Sequence, residues 1–150
     1  MHPLTIGFVS GAAAGVVMGL LSDLFFRLRI FRSSLVVIDG SFLFRTLKLR
    51  VGTQLIYGAG LFIHLMTSGV FGAIYVLACS LLGLNAMTVG SLTAVSLYVA
   101  LLWLSMLFVA LPVAGEGLLG RRSGSFTWLE QLILHALFLF LYYGCLRALL

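Results

Sequence analysis

The chain has 150 residues, of which 62% are hydrophobic and only 9% charged, with a formal net charge of +5. A soluble domain carries roughly a quarter charged residues, so this composition excludes an ordinary soluble protein and indicates a single membrane domain. Nucleic acid is not an expected partner: six of the nine Lys/Arg fall between Arg27 and Arg50, beside apolar segments, where the lipid bilayer's headgroups are the natural counterions.

A spanning helix needs about 20 apolar residues. Four segments reach that length, at about 4–26, 55–83, 89–111 and 127–147, and they predict an all-α polytopic protein, a four-helix transmembrane bundle. The first segment follows Pro3, well placed at the start of a helix. Ala12, Ala13 and Ala14 imitate a signal-peptide cleavage region. However, residues 1–7 contain no Lys or Arg, and the apolar run continues through Leu20, Leu21, Leu24 and Phe26, so the segment reads as a retained span. Within it Gly7, Gly11, Gly15 and Gly19 recur at every fourth residue. In a soluble helix each would cost about 1 kcal/mol relative to alanine. In lipid, where apolar burial does not drive helices together, a bare face instead lets a neighbouring backbone approach. Asp23 stands four residues before Arg27 and predicts an ion pair at the membrane edge.

From 27 to 50 the chain alternates Arg27, Arg29, Arg32, Arg45, Lys48 and Arg50 with Leu28, Phe31, Phe42, Leu43 and Leu47. This is a basic cytoplasmic loop that contacts lipid headgroups, with a turn at Asp39-Gly40 and a short interfacial helix capped by Ser41. A solvated loop that only sets topology accounts for the same residues. The second span is longer than the bilayer requires, so tilt or a protruding end must absorb the excess. Its every-fourth-residue series, Gly60, His64, Ser68 and Gly72, forms a second small-residue stripe and the expected counterpart of the first, widened by Gly69 and Tyr75.

An uncharged linker near 83–88, containing Asn85, predicts a tight turn. The third span offers Gly90, Thr93, Ala94, Ser96 and Ala100 as a small face and is expected to stop before Pro112. The stretch 115–125 reads as a flexible polar connection. It lacks the Gly-Lys-Ser/Thr ending of a phosphate loop. The last span opens with Thr127-x-x-Glu130, the spacing of a capping box, and Trp128 suits an interfacial anchor. Gln131, His135 and Tyr142 share one face of it. Cys79 and Cys145 lack metal-site spacing and read as packing residues. With Lys/Arg distributed as six, two and one along the chain, the first and third loops are expected in the cytoplasm and both termini on the non-cytoplasmic side.

Ionisable groups in lipid are costly and face the bundle interior, which singles out His64 and His135. They lie on the second and fourth spans, which run in the same direction, and two such histidines suit the axial positions of a b-type haem. Interhelical hydrogen bonding accounts for them more simply. Their depths disagree: at 1.5 Å per residue His135 lies about 12 Å past Thr127 and His64 about 18 Å past Gly52. Thr67-Ser68-Gly69 beside His64 lacks the Gly-x-Ser-Gly arrangement of an intramembrane serine protease, and no broken helix or central charge marks a transporter.

The glycine- and alanine-rich first span with Met18, the His64-x4-Gly69-x2-Gly72-x2-Tyr75 run, the exit from the third span between Trp103 and Gly117, and His135 with Tyr143-Gly144 resemble small bacterial inner-membrane proteins of the YagU-like kind. The resemblance implies an inner-membrane helical bundle and supplies no activity; the first loop is longer than that kind leads one to expect. The two halves of the chain also share a plan of small-residue span, basic loop and histidine-bearing span, which would make His64 and His135 equivalent positions of an internal duplication. Taken together these readings predict a non-enzymatic accessory or scaffolding subunit that packs on larger membrane subunits or on itself through its small-residue stripes. An electron-transfer subunit with haem on His64 and His135, and a small-solute or ion transporter, are the alternatives.

Overall fold

The computed structural model describes residues 1–84 and 89–150. The turn expected around Asn85 lies largely outside the described residues. Among the described residues all regular structure is helical: α1 (Pro3–Arg27), α2 (Leu35–Thr46), α3 (Thr53–Leu81), α4 (Leu92–Val113) and α5 (Thr127–Leu149), with a single 3-10 turn at Leu118–Gly120. Helices α1, α3, α4 and α5 are long and apolar enough to cross a membrane. The protein is an integral membrane protein.

Helices α1 and α3 form the most extensive pair and run antiparallel. Gly7 lies against Gly72 and Val76, Gly11 against Ser68 and Gly72, Gly15 against Ser68, and Gly19 against His64. The approach is close enough that a Cβ on Gly7 would come within 2.6 Å of the Gly72 carbonyl oxygen. The opposite side of α1 exposes Val9, Val17, Leu20 and Leu24, a lipid-facing surface.

Helix α2 differs from the short surface helix expected after Ser41. It starts seven residues earlier in the chain, where the Ser34 hydroxyl accepts the Val37 N–H at 3.4 Å, and Asp39-Gly40 falls in its middle rather than at a turn. The reason is a helix crossing. Gly40 packs on the backbone of Ile56, and Gly60 packs on the backbone of Val36, so that a Cβ at either glycine would strike a carbonyl oxygen. Gly60 therefore meets α2, not the α1 stripe. Leu35, Val36 and Ile38 are buried alongside it. Helix α2 continues the seam that α1 leaves off and covers the first turns of α3. At about 43 Å, α3 exceeds a hydrocarbon core of about 30 Å, and α2 shields part of that excess.

The segment between α1 and α2 is held by polar contacts from α1 and α5. Arg27 Nε meets Asp23 Oδ2 at 2.6 Å, the Ser34 hydroxyl donates to Asp23 at 3.2 Å, and the Leu35 N–H donates to Ser22 Oγ at 3.0 Å. From α5, Glu130 accepts the Arg32 N–H at 2.8 Å and the Ser33 hydroxyl at 3.1 Å. The expected capping box is consequently absent. Phe126 is the N-cap and gives no side-chain bond, Thr127 is already helical with its side chain packed under Gly120, and both Glu130 oxygens turn toward the 28–34 segment.

Helix α4 ends at Val113, one residue past Pro112 rather than before it. The helix widens into a π turn at Met106–Ala110 and resumes through Val113. A proline ring clashes with the preceding turn and removes an N–H donor, and a π turn is a regular way of absorbing that defect. Gly90 precedes the helix, which is capped by Ser91 through the Ala94 N–H at 3.2 Å. The connection to α5 is folded rather than loose: Arg45 donates to the Ala114 carbonyl and lies 3.6 Å from Glu116, which accepts the Ser123 hydroxyl at 2.5 Å. Gly115 and Gly117 have φ of 85° and 77°, a left-handed conformation that favours glycine.

Candidate functional site: a histidine cleft between α3 and α4

Helix α3 is tied to α4 and α5 through tyrosines. The Tyr98 hydroxyl donates to the Phe71 carbonyl at 2.7 Å, Tyr142 donates to the Gly72 carbonyl at 2.8 Å, and Tyr75 donates to the Val89 carbonyl at 2.7 Å. Below this tie α3 and α4 separate, and a cleft of 360 Å³ opens between them, with α1, α2 and α5 contributing to its lining. Phe71, Ser105, Val109 and Ala110 on its lining are exposed, which leaves the cleft open toward the bilayer.

His64 and His135 both line this cleft, together with Asp39, Ser68, Met18 and Phe138. The depth mismatch expected from helix position is absorbed because the first turns of α3 extend along α2. The two rings are oriented in similar ways. His64 Nδ1 lies 3.0 Å from Asp39 Oδ2, and His135 Nδ1 lies 2.8 Å from the carbonyl oxygen of Gln131 one turn earlier. A carbonyl only accepts, so His135 Nδ1 carries the proton, and a carboxylate facing His64 Nδ1 favours the same assignment. In the neutral rings both Nε2 atoms are then left with a lone pair. His64 Nε2 is buried without a hydrogen-bond partner. Histidines that ligate metals are held this way, the second nitrogen donating to a carboxylate or a backbone carbonyl.

Asp39 is the residue that reading along the chain missed. Its neighbour Gly40 gave it the look of a turn, and nothing local signals that α2 folds back onto α3 25 residues later. Apart from the hydroxyls of Thr67, Ser68 and Ser105 the rest of the wall is apolar, with Met18, Leu35, Phe71, Leu102, Met106 and Phe138. Among the described residues no group of three or more His, Cys, Asp or Glu converges as the ligands of a bare metal ion would.

The remaining residues singled out from sequence occupy two places. Gly7, Gly11, Gly15, Gly19, Ser68 and Gly72 line the α1–α3 seam, and Gly60 the α2–α3 crossing, so both stripes are closed by the chain's own helices. Arg27 pairs with Asp23 and lies over the Tyr57 ring at 5.1 Å. Arg29 and Lys48 follow the ends of α1 and α2 with φ of 60° and 55°. Arg32, Arg45 and Arg50 line a separate cavity. Cys79 is buried and Cys145 half-buried, both as free thiols.

Fold and site define a helical integral membrane protein with a lateral histidine cleft. No protein-family model matches the chain, and neither a curated protein nor a solved structure matches it.

Proposed function

We propose that the chain is a non-catalytic accessory subunit, of a bacterial inner membrane, that holds a b-type haem between His64 and His135. One observation carries this reading: both Nδ1 atoms are engaged by acceptors while both histidines line one cleft. Two imidazoles are too few for a bare ion, but they suffice for a group that brings its own equatorial ligands. Met18, Phe71, Met106 and Phe138 supply an apolar wall of the kind a macrocycle's faces pack on, and the opening between α3 and α4 gives a group larger than the cleft a way to project into lipid. Bound there, haem would supply one-electron transfer. The chain's own part is to hold the two rings, with Asp39 accepting from His64 Nδ1 and so fixing that ring's orientation. The small-residue stripes of α1 and α3 are filled from within. Larger membrane subunits or a second copy would dock on the exposed apolar faces instead.

The test is purification of the full chain from its native membrane in mild detergent, followed by absorption spectroscopy. A Soret band that is present in the wild type and lost in both His64→Ala and His135→Ala is the expected result. A colourless protein that also fails to take up added haem would sink the proposal.

A further inference from the structure

A second cavity, of about 580 Å³, opens at the end of the molecule that carries most of the basic residues, where the 28–34 segment, α2, the 47–52 connection and the α4–α5 connection meet. Arg32, Arg45 and Arg50 line it together with Ser41 and Glu116. The chain has four acidic side chains, and each is already engaged. Asp23 pairs with Arg27, Asp39 with His64 and Glu116 with Arg45, while Glu130 accepts from the backbone of Arg32 and from Ser33. Among the described residues Arg32 and Arg50 form no ion pair, and the one carboxylate on the cavity's lining, Glu116, lies 3.6 Å from Arg45, so the two arginines bring unpaired positive charge to one cavity. Phe26, Phe44, Leu49 and Ile56 form an apolar wall beside these charges. Cations against a greasy wall, at the end of spanning helices, suit an amphiphile with an anionic head better than a soluble ion.

The geometry points to this cavity as a binding site for one anionic phospholipid, its phosphate held by Arg32 and Arg50 and its acyl chains laid on Phe26, Phe44, Leu49 and Ile56. Of the neighbouring basic residues, Arg45 also lines the cavity but is engaged by Glu116 and the Ala114 carbonyl, Arg27 is held by Asp23, and neither Arg29 nor Lys48 lines it. The site is independent of the histidine cleft and of what occupies it.

Native mass spectrometry of the full chain in mild detergent, titrated with phosphatidylglycerol or phosphatidylcholine, tests the assignment. The wild type is expected to retain one phosphatidylglycerol in preference to phosphatidylcholine. One basic residue beside an anionic headgroup is worth roughly fivefold, so R32A/R50A should bind about 30-fold more weakly. R32K/R50K should recover most of that loss, and R147A, at the opposite end of α5, should behave as wild type. The Arg32 bond to Glu130 is made by the backbone and survives these changes; an unchanged thermal unfolding midpoint for R32A/R50A separates lost binding from lost fold. Equal retention of phosphatidylcholine, or wild-type binding by R32A/R50A, overturns the site. Displacement of the lipid by millimolar inorganic phosphate overturns the lipid as occupant in favour of soluble phosphate.

Discussion

At the scale of single residues, the cleft depends on Asp39. His64 is 6% exposed, and its ring makes one hydrogen bond, at Nδ1, to a half-buried carboxylate. Replacing Asp39 by Leu would leave a buried N–H without a partner, at a cost of about 1–3 kcal/mol. Asp39→Asn keeps an oxygen that can accept the same proton but removes the charge. The expected pattern is a lowered unfolding midpoint for Asp39→Leu and a near-normal one for Asp39→Asn. In haem titrations followed by absorbance, Asp39→Asn should show an affinity reduced by about 10–100-fold, the usual cost of altering an outer partner of a ligating histidine. An Asp39→Leu protein as stable as wild type would mean that the carboxylate does not hold the ring. The two histidines were legible as candidates because ionisable side chains stand out within apolar runs. Asp39 was not, since its role comes from the α2–α3 crossing, and a short Asp-Gly pair carries the same local signal whether it makes a turn or sits inside a helix.

At the scale of elements, the α1–α3 seam makes the sharpest demand on side-chain size. A Cβ at Gly11 would press on the Ser68 carbonyl oxygen and stand 3.0 Å from Gly72 Cα, and backbone atoms cannot rotate aside as a side chain can. Overpacking a core costs about 1–3 kcal/mol even where side chains yield. Gly11→Leu should therefore separate α1 from α3, read as loss of the monodisperse peak in size-exclusion chromatography and a lowered unfolding midpoint. Gly144→Leu is the matched control: nothing lies within 4 Å of a Cβ there, and exchanging glycine for a better helix former should leave stability unchanged or raised by less than about 1 kcal/mol. Equal behaviour of the two variants would show that α1 and α3 do not meet on this face. The all-helical architecture and its four spanning-length helices were legible because the apolar signal accumulates over some twenty residues and survives local irregularities. Two elements were not. The middle of α2 carries residues with turn chemistry, and its helical state is imposed by Gly40 packing on the backbone of α3, a contact remote in sequence. The π turn at Met106–Ala110 was the other: Pro112 marks where α4 is disturbed, but not how the backbone before it adjusts.

At the scale of the whole molecule, charge is sorted to one end. Arg27, Arg29, Arg32, Arg45, Lys48, Arg50, Arg121 and Arg122 all lie in the two connections that meet around α2 and the start of α5, and Arg45 physically joins those connections through Ala114 and Glu116. Arg147, near the far end of α5, is the remaining basic side chain. Basic residues close to spanning helices are retained on the cytoplasmic side, and here both connections favour the same orientation. The carboxyl terminus, and the amino terminus with it, should face away from the cytoplasm. In a bacterial inner membrane, alkaline phosphatase fused after Leu150 should be active and a green fluorescent protein fused there dark, with the reverse for fusions placed within 121–123. An acidic substitution series in the α4–α5 connection, R121E/R122E, removes only a minority of the bias and should leave the orientation intact. R29E/R32E/R45E/K48E/R50E removes most of it and should give mixed or inverted reporters. A fluorescent carboxyl-terminal fusion in the wild type would reverse the topology and place the histidine cleft and the phospholipid cavity with respect to the opposite leaflet, because both are fixed to the basic end through α2: Asp39 reaches the cleft and Arg45 the cavity from a single twelve-residue helix.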